Sequence, residues 1–144
     1  MIAIREIAAE DAEAAGELCG ELGYPCAADE MKARIERITG SNDHRVFVAC
    51  DGDAVVGWIE VVITHHLAAG LRGEVTGLII SNALRSGGIG GRLLAQAEQW
   101  LAARGVAEVV VRSRTTRERA HRFYLREGYT VMKTSTVFSK RLPR

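Results

Sequence analysis

The chain has 144 residues, enough for one domain of ordinary size with a single buried core. Hydrophobic residues make up 47% and charged residues 26%, the balance of a soluble globular protein rather than a disordered one. With 19 basic against 18 acidic side chains the formal net charge is +1, which gives no broad attraction to nucleic acid or to anionic lipid.

Ile2, Ile4 and Ile7 roughly alternate with polar neighbours and predict an opening strand. Ala15, Leu18, Cys19 and Leu22 then share one helical face, with Asp11 in the cap region and Gly23 as the stop. Met31, Ile35 and Ile38 repeat that spacing between Asp29, the expected N-cap, and Gly40, the expected terminator. Two strands follow, Val46 to Cys50 and Val55 to Ile63, joined by the hairpin signal Asp51-Gly52-Asp53. A loop through Ala68-Ala69-Gly70 leads to a strand from Val75 to Ile80, and Ser81 to Gly90 is a turn-rich connection. Ile89, Leu93, Ala97, Trp100 and Leu101 mark a long helix ending near Gly105. Val109-Val110-Val111 reads as a short strand covered on both faces. Thr116 to Glu127 reads as a helix stopped by Gly128, and Tyr129–Thr134 and Thr136–Lys140 as two closing strands.

The expectation is one α/β domain over residues 1–144, with about seven strands and about four helices. A helical crossover returns the chain in its starting direction, so the strands flanking the long helix should be parallel, while the hairpin is antiparallel. A mixed sheet with helices on both faces follows. Cys19, Cys26 and Cys50 have no CxxC spacing, which argues against a disulfide framework and a zinc site. His65 and His66 adjoin without a partner at metal-ligand spacing and read as a solvated strand end, so no metal is expected. Met1 to Ile7 lacks a signal peptide's charged head and apolar stretch, and no apolar run approaches the ~18 residues of a membrane span. A cytoplasmic protein without nucleic-acid or membrane partners is expected.

The most informative segment is Leu78-Ile79-Ile80-Ser81-Asn82-Ala83-Leu84-Arg85-Ser86-Gly87-Gly88-Ile89-Gly90-Gly91, a strand entering a glycine-rich turn that opens a helix. Helix N-termini present unsatisfied N–H groups and partial positive charge, and so bind phosphate. Glycine lets the backbone approach an anion and adopt positive φ, and Arg85 can add a charge-assisted contact. A Walker A loop would need Gly-Lys-Ser/Thr, which is absent. A dinucleotide fingerprint would need a third glycine where Leu93 stands, and it would sit near the start of a βαβ series. Arg85-x-x-Gly88-x-Gly90 instead resembles the pyrophosphate-binding turn of the GCN5-related N-acetyltransferase (GNAT) family, whose cofactor is acetyl-CoA.

Downstream, Ala120, Phe123 and Tyr124 share a helix face ahead of Gly128-Tyr129. Phe123 as a core residue and Gly128 as a helix cap would satisfy the local structure on their own. The pattern Ala-x-x-Phe-Tyr-x-x-x-Gly-Tyr also resembles the family's second cofactor motif, in the right order after the first. Many members carry Asn where this chain has Arg117, which places the motif's Asn contact in question but not the motif.

The resemblance implies a central parallel pair splayed open, an acetyl-CoA-dependent N-acetyltransferase, and an acceptor that is a small-molecule or peptide amine. It implies cofactor binding by Leu78, Ile79 and Ile80, by Arg85, Ser86, Gly87, Gly88, Ile89, Gly90 and Gly91, and by Arg117 and Tyr124. Tyr124 would be the general acid, since a phenol of pKa about 10 stays protonated beside a thiolate of pKa about 8.5. Backbone N–H groups of the Leu78–Ile80 strand, Ile80 first, would hold the oxyanion. Glu74 is the leading base, read as sharing a strand face with Thr76, Leu78 and Ile80, with ordered water as the other route. Glu60, His65 and His66 are weaker candidates. The acceptor pocket would be built from the first two helices, the Leu22–Pro25 loop, the His65–Arg72 loop and the closing strands. The family often forms homodimers through its later strands, where Val131, Val137 and Phe138 would supply an apolar edge; the same residues could equally face the core. A catalytically idle CoA-binding module on the same fold is the alternative.

Overall fold

The computed structural model describes every residue except Ser86 and Arg144, in two compact units, Met1–Arg112 and Ser113–Arg144. The first unit runs β1 (Ile2–Glu6), α1 (Ala12–Glu21), α2 (Ala28–Thr39), β2 (His44–Asp51), β3 (Ala54–His66), β4 (Gly70–Ile80), α3 (Ile89–Ala103) and β5 (Val109–Val111). The strands form one sheet in the order β1-β2-β3-β4-β5, antiparallel up to β4 and parallel between β4 and β5. That parallel pair is the one the α3 crossover predicts. The second unit holds α4 (Glu118–Arg126). No helix among the described residues is long and apolar enough to cross a membrane.

Alternation along the strands divides the core. Val46, Val48 and Cys50 of β2 face α1 and α2, packing with Ile7, Ala12, Ala15 and Ile35 and with partly buried Trp58. The opposite face takes α3, whose Leu93, Leu94, Ala97 and Leu101 are almost wholly buried. Leu101 lies so close over Gly73 that a Cβ there would meet its Cδ1 at 2.6 Å.

Three of the helices end the same way. In α1 the Tyr24 N–H donates to the Cys19 carbonyl at 3.0 Å and the Gly23 N–H to Gly20 at 3.0 Å. In α3 Val106 donates to Leu101 and Gly105 to Ala102, both at 3.1 Å. In α4 Tyr129 donates to Tyr124 at 2.9 Å and Gly128 to Leu125 at 3.2 Å. These are Schellman caps, and Gly23, Gly105 and Gly128 take the left-handed φ of 85°, 78° and 96° that the motif requires. Gly40, expected to act likewise, has φ −80° and simply continues the last turn of α2.

Several boundaries differ from expectation for local reasons. The α2 N-cap is Ala27; Asp29 sits inside the first turn, where its carboxylate complements the helix dipole and accepts the Glu30 N–H at 3.0 Å. The expected His65–Arg72 loop is mostly ladder, because His65 pairs with Leu71 and His66 with Gly70. Among the described residues the sheet has five strands, not about seven. Tyr129–Thr134 and Thr136–Lys140 are β-prone in sequence, but propensity expresses fit to a paired surface, and these residues form no ladder. Val131, Val137 and Phe138 stand 81%, 83% and 90% exposed.

Candidate active site

The chemistry is organised by an irregularity in β4. Val61 pairs with Val75 but Glu60 pairs with Gly77, so Thr76 is an extra residue, a β-bulge. The ladder to β5 covers only Gly73–Val75 and stops one residue before the bulge. Bulges bend a strand and increase its twist, which turns Gly77–Ile80 away from β5. The parallel pair is therefore splayed, and the far side of Gly77–Ile80 has no strand partner among the described residues.

Backbone direction then follows by parity. Ser81 donates its N–H back to Val56 on the β3 side at 2.8 Å. N–H groups alternate along a strand, so Leu78 and Ile80 present theirs to the open edge, while Ile79 is turned toward Trp58 of β3. Of the three expected strand residues, two carry free backbone donors and the third supports the sheet. The bulge also corrects the expected grouping of Glu74, Thr76, Leu78 and Ile80 on one face. Gly77 lies against Trp58, on the α1/α2 side, and Glu74 falls on that same side; Leu78 and Ile80 lie on the other.

Beyond β4 a short 3-10 turn, Asn82–Leu84, leads into the glycine segment. Gly88 is the N-cap of α3 at φ 79°, ψ 4°, a left-handed conformation costly to other residues, and a Cβ there would meet nothing within 4 Å. Among the described residues no side chain caps this helix, which leaves the first-turn N–H groups of Ile89, Gly90 and Gly91 without a side-chain acceptor there. Arg85 and Gly87 are exposed at its entrance, and Arg85 has no ion-pair partner among the described residues. Ser86 lies outside the described residues.

In the second unit, the Gly128 cap brings Tyr129 back over the last turns of α4. The Tyr124 and Tyr129 rings meet edge to face at 5.7 Å, and Phe123 meets Tyr124 at 5.1 Å. The Phe-Tyr and Gly-Tyr pairs are thus one local device that clamps the Tyr124 ring. Burial pushes the Tyr124 phenol above its usual range, against a smaller opposing pull from the Arg117 charge. Arg117 and Tyr124 are therefore brought together.

The base candidates separate by position. Glu74 is held by Arg112, Nε to Oε2 at 3.3 Å. His65 and His66 are at the far end of β3; His65 is eight residues from Gly57, the partner of Ile80, or about 26 Å along the strand. They bond Asp43 and Thr64 there and cannot reach the open edge. Glu60, half-buried and bonded to His44 at 2.6 Å, is directly opposite Gly77. The helix ends approach the same region: Glu21, the last residue of α1, accepts the Asn82 N–H at 3.1 Å, which ties the Leu22–Pro25 loop to the exit of β4. A groove of about 440 Å³ between α1 and Pro25–Ala28 is lined by Glu13 and Glu17 but includes nothing from β4 or α3. It lies apart from the backbone donors of β4. No group of three or more potential metal ligands occurs among the described residues.

Residues 3–129 match the Acetyltransferase (GNAT) family. An aminoalkylphosphonate N-acetyltransferase of Salmonella typhimurium is 34% identical over 113 residues, 78% of this chain and 71% of the relative. The chain belongs to the GNAT acetyltransferase family. Its fold is shared with the aminoglycoside N-acetyltransferase AAC(6')-Iy in complex with CoA, at TM-score 0.88 and 18% identity over 99% of this chain and 96% of that one. A transcriptional regulator from Bacillus halodurans C-125 superposes at TM-score 0.87 and 23% identity, covering 97% of this chain and all of its own. This GNAT protein is an acetyl-CoA-dependent N-acetyltransferase. Its residues fit that cofactor: among the described residues, a helix N-terminus without a side-chain cap behind a left-handed glycine, an arginine without an ion-pair partner at the entrance, and a strand edge without a strand partner.

Proposed function

We propose that this enzyme acetylates the primary amine of a small-molecule acceptor by direct attack in a ternary complex, with Tyr124 as general acid and Glu74 or ordered water as base. The observation that carries the reading is the open edge of β4, where Leu78 and Ile80 hold backbone N–H groups free of any strand partner. Acetyl-CoA supplies an activated thioester carbonyl and a thiolate leaving group. Ile80 N–H is the donor we assign to the carbonyl oxygen, and Leu78 the strand contact to the pantetheine arm. Arg85 and the backbone of Gly87–Gly91 receive the pyrophosphate, and Arg117 adds a positive charge beside Tyr124. The Tyr124 phenol keeps its proton at neutral pH and can deliver it to sulfur. Glu74, held beside Arg112, draws the acceptor's proton directly or through water.

The Salmonella relative is named for aminoalkylphosphonates and the neighbour solved with CoA for aminoglycosides, so the acceptor class we favour is a small, charged amine. A cytoplasmic location accords with the three free thiols Cys19, Cys26 and Cys50. A homodimer built through the exposed residues of the closing segment is part of the same reading.

Thiol release from acetyl-CoA, followed with 2-aminoethylphosphonate, neamine, polyamines, amino acids and lysine peptides, tests the reading. Tyr124→Phe should lower kcat by roughly ten- to a thousandfold while leaving CoA affinity unchanged. Undiminished turnover in that variant removes Tyr124 from the mechanism. Absence of both turnover and calorimetric CoA binding in the wild type would overturn the whole reading.

A further inference from the structure

We propose that Glu60, fixed by His44, is the docking point for the acceptor's cationic nitrogen. The inference rests on the amine-acetylating function proposed above and adds to it a residue on β3 that receives the acceptor as an ammonium ion, whose proton then passes to Glu74 or ordered water so that the neutral amine attacks.

Glu60 stands opposite Gly77, one residue before the Leu78 donor, on the sheet face covered by α1 and α2. Gly77 is what leaves it room. A Cβ at Gly77 would be 2.8 Å from Trp58 Cζ3 and 3.7 Å from Glu60 Oε1, so the ring and the carboxylate both lie over bare backbone there. The two oxygens of Glu60 are not equivalent. Oε2 is anchored by His44 Nε2 at 2.6 Å, whereas Oε1 has no hydrogen-bond or ion-pair partner among the described residues. Oε1 is not among the buried polar atoms left without a partner, so it is open to solvent, and a cationic donor that reaches it gains a charge-assisted hydrogen bond. The side chains keep 26% and 25% exposure, so the site is reachable rather than sealed.

The neighbours favour a cation. Glu74, the other carboxylate on this face, is occupied by Arg112, which leaves Glu60 as the one whose charge has no arginine or lysine against it among the described residues. Its field reaches Cys19 on the last turn of α1, where burial first and then Cys26 push the thiol up, Arg34 pulls it down, and Glu60 adds a smaller upward push. That turn is tied to the exit of β4 through Glu21 and Asn82. An ammonium on Glu60 Oε1 would therefore sit below the end of α1 and beside the strand that carries the Leu78 and Ile80 donors. His44 is a positioning residue: it fixes the carboxylate's rotation and holds Oε1 outward.

The experiment compares wild type, Glu60→Gln, His44→Ala and His44→Gln with the best-used amine among 2-aminoethylphosphonate, neamine and n-butylamine, alongside CoA affinity by calorimetry. Glu60→Gln keeps the shape and removes the charge. It should raise the acceptor KM roughly ten- to a hundredfold, the range of a hydrogen bond to a charged group, with kcat and CoA affinity within about threefold of wild type. His44→Ala should raise the same KM by a smaller factor and His44→Gln, which can still donate to Oε2, should restore it. An unchanged acceptor KM in Glu60→Gln, with turnover intact, overturns this inference and leaves the proposed function standing. Turnover of no amine by the wild type overturns both. A loss of CoA affinity in parallel with the KM effect would identify Glu60 as structural and equally reject it.

Discussion

At the scale of single residues, two ionisable groups make opposite predictions on the pH axis. The Tyr124 phenol is raised by burial, so its acidic form persists further into alkali than that of a free tyrosine of pKa about 10. If Tyr124 is the proton donor, kcat should hold level to about pH 10 before falling, and an alkaline limb at pH 8 to 9 that survives in Tyr124→Phe would point to another group. Asp11 is the reverse case. It is 7% exposed, takes two hydrogen bonds from Arg5 at 2.7 and 2.8 Å and one from the Ala8 N–H at 2.8 Å. The Arg5 guanidinium holds its carboxyl below the usual range, so its contribution to stability is present above about pH 4 and is lost as pH falls through the folded-state value. Asp11→Asn should cost about 1–3 kcal/mol in urea unfolding at pH 7, with the difference from wild type narrowing below pH 4. A constant difference across that range would mean the pair acts through packing alone. Asp11 is also the cap that the sequence predicts, as N-cap residue of α1 and acceptor of the Ala8 N–H; its pairing with Arg5 leaves no trace in spacing.

At the scale of elements, legibility depends on how local the cause is. Gly23, Gly105 and Gly128 mark helix ends in the sequence because a Schellman cap is built from six neighbouring residues. The Thr76 bulge leaves no such mark. The strand signal from Val75 to Ile80 continues across it, and only the register with β3 reveals the extra residue and puts Glu74 on the face opposite Leu78 and Ile80. The bulge nonetheless decides whether the site exists. Deleting Thr76 keeps Gly77 opposite Glu60 and Leu78 opposite Ile59, but it straightens β4 and lets it continue its ladder along β5. CoA affinity should fall by a hundredfold or more while the protein still unfolds cooperatively; retained affinity would separate the bulge from the splay. The α3 turn is tested beside it. Gly88→Ala should cost about 1–2 kcal/mol of stability for the left-handed φ alone, since its Cβ meets nothing. Gly88→Glu adds a carboxylate at the pyrophosphate and should weaken CoA far more than Ala does. Equal affinities in the two variants would show that the phosphate is held elsewhere.

At the scale of the whole molecule, the closing segment carries the largest departure from the sequence reading. Val131, Met132, Val137, Phe138 and Leu142 are between 58% and 90% exposed. The strands expected there need a ladder, and the segment does not form one. Apolar residues gathered in one β-prone stretch and left in water favour association, and a second copy offers the same stretch in self-complementary form. A dimer would remove these side chains from solvent and supply the missing backbone partners at once. Sedimentation at about 50 µM should then give twice the 15.7 kDa chain mass, and Phe138→Lys combined with Val137→Lys should return it to the monomer. Because Tyr124 and its clamp by Tyr129 precede the segment, the monomeric variant should keep CoA binding while losing association. A wild type that sediments at 15.7 kDa across that range removes the dimer from the proposal and leaves acetyl transfer as the work of a single chain.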